Sequence, residues 1–228
     1  MARGSGSGDP ICKWGYWMKD LIVLVADANM KATFIELLKR DRSLGIRKVS
    51  VDVFAHSRRD PGVYREACHF LQPLRSQYQR ALAVLDCAWA GAPEGGDPQL
   101  LETEIRSSYS RIGIGGWAEV VAIDPELEAW VWSISPHVES ALGWYGRNPD
   151  LRTWLSMQSY LSPGHLKPND PKLALEKALK EVKRPRTSSI FSQLARTVGF
   201  DHCQDSSFLR LKRILQNWFL SGDLVSEN

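Results

Sequence analysis

Two short apolar runs mark the first half of the chain, and each ends in one carboxylate. Leu21 to Ala26 runs into Asp27, and Ala81 to Leu85 runs into Asp86. Apolar runs of this length without alternation are the pattern of strands buried on both faces, as in parallel sheets. After the first run, Met30, Phe34, Leu37 and Leu38 recur at helical spacing over 29–40, with Asn29 placed to cap the helix and Gly45 to stop it. Residues 46–55 alternate, with Val49, Val51 and Val53 set against Lys48, Ser50 and Asp52, which predicts a half-exposed edge strand. A loop over 56–62 follows, and Pro61 opens a helix over 63–78 that breaks at Pro73. A third strand is expected over 80–86, a Gly/Pro/Ala-rich loop over 90–98, a helix over 98–108 and a fourth strand over 117–123. Glu126 to Trp132 then reads as the start of a helix capped by Asp124.

This β-α-β-α-β-α-β-α order predicts a doubly wound α/β domain with a mainly parallel sheet of four strands. Beyond Pro136 only helical patterns remain, over about 136–143, 150–160, 171–182, 188–198 and 206–220. The expected organisation is a flexible segment over 1–16, an α/β domain over 17–133 and a helical C-terminal subdomain over 134–228 packed on it.

Composition narrows the class. Hydrophobic content of 43% and charged content of 24% are those of ordinary globular chains. No apolar run approaches the roughly 20 residues of a membrane helix, and no secretory signal precedes the first strand, so a cytoplasmic protein without membrane contact is expected. Cys12, Cys68, Cys87 and Cys203 show no CxxC spacing, which argues free thiols in a reducing compartment over a zinc or disulfide framework. The net charge of +3 permits nucleic-acid contact without requiring it. Five of the nine tryptophans, Trp117, Trp130, Trp132, Trp144 and Trp154, fall close together and read as a large aromatic core. A base-stacking platform is the weaker reading, because few basic residues interleave with them.

No P-loop, Rossmann glycine pattern, HExxH or GxSxG is present. What remains is acid at strand ends. Ligands of parallel sheets bind outside the carboxyl ends of the strands, so Asp27 and Asp86 are placed to share one site and hold a divalent cation. Asp27 equally suits a helix cap. Glu126 and Glu128 sit in a first turn, where acids offset the helix dipole, and become ligands where they meet the aspartates. Arg58 and Arg59, between His56 and Asp60, suit phosphate. Lys172 to Arg186 is basic, with Glu176 and Glu181 interleaved as on a solvated helix face. Arg210, Lys212 and Arg213 form a second basic cluster, which would track a nucleic-acid backbone if it faces the acids.

Several stretches together carry a family likeness: Asp27-Ala28-Asn29-Met30-Lys31 followed by Phe34, then Asp86-Cys87-Ala88, and Glu126 to Trp132. Pro171 to Leu175 and Cys203 to Phe208 extend it more loosely. The chain resembles the TOPRIM-like proteins of bacterial defence islands, the RloB-like families among them, in which the corresponding motifs read E-G-x-x-E, D-x-D and E-x-E-x-W-L-L. That resemblance implies a TOPRIM-like α/β sheet and a Mg²⁺-dependent nuclease of a methylation-associated anti-phage system. Asp27, Asp86 and Glu128 would be catalytic, and Asp27, Asp86, Glu126 and Glu128 would surround Mg²⁺. Lys31, Arg58 and Arg59 would steady phosphate, and other defence proteins, DNA or RNA would be partners. The chain departs from the motifs at three points: Asp27 stands for the first glutamate, Lys31 for the second and Ala88 for the second aspartate. The alternative is therefore a non-catalytic subunit that binds a partner protein or nucleic acid.

Overall fold

Four strands form one sheet in which every neighbouring pair is parallel: β1 (Lys19–Val25), β2 (Val51–Ala55), β3 (Tyr78–Asp86) and β4 (Ala118–Ile123), in the order β2-β1-β3-β4. The computed structural model describes residues 18–133, 135–199 and 203–221. Leu21 to Val25 and Ala81 to Leu85 are fully buried, because helices cover both faces of the central strands. The strands are joined by α1 (Ala28–Leu37) with α2 (Asp41–Leu44), by α3 (Arg59–Leu71) and by α4 (Pro98–Arg111). The helices α3 and α4 pack on each other, while α1 packs on β2. The second half is helical: α5 (Pro136–Leu142), α6 (Leu151–Met157), α7 (Pro171–Glu181), α8 (Ser188–Thr197) and α9 (Ser206–Phe219). Of these, α8 lies along α1 and α9 packs on β4. The α/β class and the helical C-terminal half are those the patterning predicts.

Local departures have identifiable causes. Asp27, not Asn29, caps α1: its Oδ1 accepts from the backbone N–H groups of Asn29 at 2.8 Å and Met30 at 2.9 Å. Asn29 lies inside the first turn, where its Oδ1 accepts from the Ser188 hydroxyl of α8. Gly45, at φ 72°, ends the separate short helix α2 rather than α1. Strand β2 is shorter than the alternating stretch, because Arg47 donates its backbone N–H to Phe219 and Ile46 bridges Leu220. The helix α3 stops at Leu71, Pro73 falls in a 3-10 turn (Gln72–Leu74), and β3 begins earlier, at Tyr78. Leu127–Trp130 is one 3-10 turn, and the expected Asp124 cap is not formed. Glu126 is extended there, and the Leu127 N–H is taken by the Asp86 side chain.

The tryptophans build core, as expected. Trp117, Trp132 and Trp144 are buried, and their indole N–H groups donate to the carbonyls of Tyr78, Pro171 and Ala178. The outer edge of β4 is closed by side chains. Buried Glu102 of α4 accepts the Ala122 N–H at 3.0 Å, and Arg210 of α9 donates to the Ala122 carbonyl at 3.0 Å. Arg106 and Arg210 both pair with Glu102, so its charge is offset where water is scarce. Cys68 and Cys87 are buried free thiols. Cys12 and the segment 1–16 lie outside the described residues. Among the described residues no helix is long and apolar enough to cross a membrane.

Candidate functional site

Strand order places a topological switch point between β1 and β3. The connection from β1 leads to β2 on one side, and the next returns past β1 to β3 on the other. A crevice at the carboxyl ends of these strands is where such sheets take ligands. Asp86 ends β3 and Asp27 follows β1 by two residues. Asp60, in the first turn of α3, stands between them: its Oδ1 accepts the backbone N–H of Asp86 at 2.8 Å, and its carboxylate feels the charge of Asp27. The 3-10 turn after β4 closes the far side. Its Leu127 N–H donates to Asp86 Oδ1 at 2.8 Å, and it carries buried Glu128 and partly buried Glu126.

The electrostatics follow from this crowding. Burial, then the charges of Asp60, Glu128 and Glu126, push the Asp86 carboxyl well above its ordinary range, against the Leu127 hydrogen bond. Burial also raises Asp60, and Asp27 adds to it. Glu126 is raised by burial, although Lys172 pulls the other way. Lys172 pairs with Glu126 at 3.0 Å, and Arg186 pairs with Glu128. Burial disfavours the Lys172 ammonium, but the hydrogen bond to Glu126 and the surrounding carboxylates outweigh it and raise its pKa. The Arg186 guanidinium also stacks over the Phe191 ring, 5.1 Å from its centre. Two cations from the basic segment thus bracket the acids. Both residues, like Lys177, Lys180, Lys183 and Arg184, are exposed, which is the solvated face that the interleaved glutamates predict. Arg210, of the second basic cluster, is spent on the β4 edge.

The three cations expected at phosphate fare differently. Arg58 is committed to Glu66, which also lies 3.3 Å from His56 Nε2, while His56 Nδ1 accepts the Arg58 backbone N–H. Gly62 permits this packing, since a Cβ there would fall 2.0 Å from His56 Nδ1. Lys31 and Arg59 form no ion pair among the described residues. Arg59 holds φ 51°, a costly left-handed conformation for a residue with a side chain, at the lip of the crevice beside Asp60.

The donor set is hard oxygen, which suits Mg²⁺ or Mn²⁺. Among the described residues no three His, Cys, Asp or Glu side chains stand together as a metal-holding group. Mg²⁺ usually needs one or two carboxylates, with waters completing its shell, and the Asp60–Asp86 neighbourhood offers those. Asp60, Lys172 and Arg186 are the site members that sequence reasoning missed. A carboxylate at the start of the helix after β2 was the available sign for Asp60. The pairing of residues 46 and 58 positions apart left no local sign for Lys172 or Arg186.

The fold and site define an α/β protein with an acid-lined crevice at a parallel-sheet switch point. No family description, curated protein or solved structure matches the chain.

Proposed function

We propose that the crevice binds a divalent cation and acts on a phosphate ester, with phosphodiester cleavage in DNA or RNA as the reaction. The observation that carries this reading is the seating of Asp60 and of the turn bearing Glu126 and Glu128 against Asp86, through the bonds of Asp60 to the Asp86 N–H and of the Leu127 N–H to the Asp86 carboxylate. Like charges gathered out of water destabilise a fold unless a cation offsets them. Asp86 and Asp60 are the assigned ligands, with Glu128 and Glu126 joining when Arg186 and Lys172 turn to substrate phosphate. A bound Mg²⁺ would polarise a phosphoryl oxygen and offset its developing charge. Leu127 orients the Asp86 carboxylate, and Asp60 holds the Asp86 backbone. Asp27 contributes negative field while its Oδ1 caps α1. The place in an anti-phage system rests on the TOPRIM-like resemblance.

A second reading, a non-catalytic subunit binding nucleic acid or a partner protein, is favoured by a separate observation. Lys172 and Arg186 already neutralise Glu126 and Glu128. Calorimetric titration of Mg²⁺ and Mn²⁺ into the wild type, Asp60→Asn and Asp86→Asn separates the two. The catalytic reading expects saturable binding that weakens by about tenfold or more in either variant, with cation-dependent cleavage of labelled DNA or RNA lost in parallel. A folded wild type that binds neither cation, with or without nucleic acid, overturns it and leaves the second reading.

A further inference from the structure

The 3-10 turn that carries the glutamates has a second face. There a cavity of about 700 Å³ opens between α1, α8, the 165–167 loop and the start of α9. Folded interiors hold few voids larger than a water molecule, and ligand pockets run to about 300–1,000 Å³ with apolar walls and a few polar groups. Leu37, Trp130, Phe191, Leu194, Val198 and Phe208 form the walls. Trp130 is held in place. Its indole N–H lies 2.9 Å from the Ser207 hydroxyl and 3.1 Å from Asp205 Oδ1, and its ring meets Phe208 edge-on at 5.3 Å.

Polar groups line the cavity at two places: Arg40, which donates to the Ala195 and Val198 carbonyls, on the α8 side, and Lys167 with Asp205 beside the start of α9. Asp205 is heavily engaged: Oδ1 accepts from Trp130, from the backbone N–H groups of Ser207 and Phe208 and from the Ser207 hydroxyl, while Oδ2 takes Lys167 at 2.6 Å. Lys167 has three N–H donors and places one of them on Asp205. His165 also lines this end, and its imidazole makes no hydrogen bond with the described residues. Two cations, Lys167 and Arg40, thus line a cavity whose walls are mostly apolar.

We propose that this cavity binds an amphipathic small-molecule anion, with an aromatic or branched apolar body against Trp130, Phe191 and Phe208 and one acidic group at Lys167 and His165. The site is separate from the carboxylate crevice and does not depend on the function assigned to it. The apolar walls supply affinity, and Lys167 supplies the preference for a negative head. Asp205 fixes Lys167 and Trp130 together, so the polar and aromatic ends keep their spacing.

The test is a fluorescence titration of the intact protein with anilinonaphthalene sulfonate, an aromatic anion, and with uncharged N-phenyl-naphthylamine. The sulfonate is expected to bind saturably at one equivalent, more tightly than the uncharged probe, and to raise the unfolding temperature. Ala195→Trp, which fills the cavity from α8, is expected to weaken binding about tenfold or more. Lys167→Met is expected to abolish the preference for the anion while keeping the apolar affinity. Hydrogen exchange of the wild type with and without the sulfonate needs no variant, and expects added protection within 191–198 and 203–208. No saturable binding, equal affinity for the two probes, unchanged affinity in folded Ala195→Trp, or protection elsewhere overturns the proposal.

Discussion

Asp86 shows how one residue sets the chemistry of the crevice. With its folded pKa raised by burial and then by its carboxylate neighbours, the native state holds a proton that the unfolded chain has already released. Stability from this group is therefore present at acid pH and is lost as pH rises through the folded value. Asp86→Asn keeps the oxygen that accepts from Leu127 and removes the charge. In a chelating buffer at neutral pH it is expected to unfold at a higher temperature than the wild type, by about 2–4 °C for each kcal/mol relieved in a chain of this size. The difference should shrink towards the ordinary carboxylate range, and saturating Mn²⁺ should stabilise the wild type more than the variant. Thermal melts across pH, with and without Mn²⁺, check both. Asp86 was legible in the sequence because an apolar run points at it. Asp60 was not, because its nearness to Asp86 is made by the return of the chain from β2 to β3.

At the scale of elements, hydrophobic spacing was a good guide in the second half, where one face of each helix meets the core. The five C-terminal helices begin and end within a few residues of the positions their patterns predict. The spacing failed where a side chain competes for the backbone. The Leu127–Trp130 turn has apolar and acidic residues in helical order, yet Asp86 takes its first N–H group and the segment stops after one turn. Asp27 illustrates the overlap of structure and site. Its cap predicts that Asp27→Ala costs about 1 kcal/mol, while Asp27→Asn, an equally good cap, costs little. Denaturant unfolding of the two variants separates the capping role from the charge, since a loss common to both would trace to the negative charge.

Over the whole molecule the helical half is tied to the sheet at several distant points. Ser188 bonds to Asn29, Arg40 donates to the carbonyls of Ala195 and Val198, and Gln216 donates to the Leu44 carbonyl. With Arg47 and Arg210, these ties join α8 and α9 to α1, α2, β4 and the segment before β2. The two halves are therefore expected to melt in one transition. A fragment ending at residue 133 is expected to lose cooperative unfolding and to aggregate, because the α1 face beneath α8 and the β4 surface beneath α9 are then bare. Calorimetry of the full chain and of the fragment checks this, and two separated transitions in the full chain would contradict it.

The Glu102–Arg210 closure of β4 has a consequence for self-association. On that side the backbone groups of Ala122 are already engaged, whereas β2, with Phe54 exposed, is the last strand on the other side among the described residues. A ribbon with one sealed margin grows in one direction only. Two copies joined through β2 present a sealed margin at each end, so edge pairing in the native state terminates at a two-fold pair and does not propagate into a fibre.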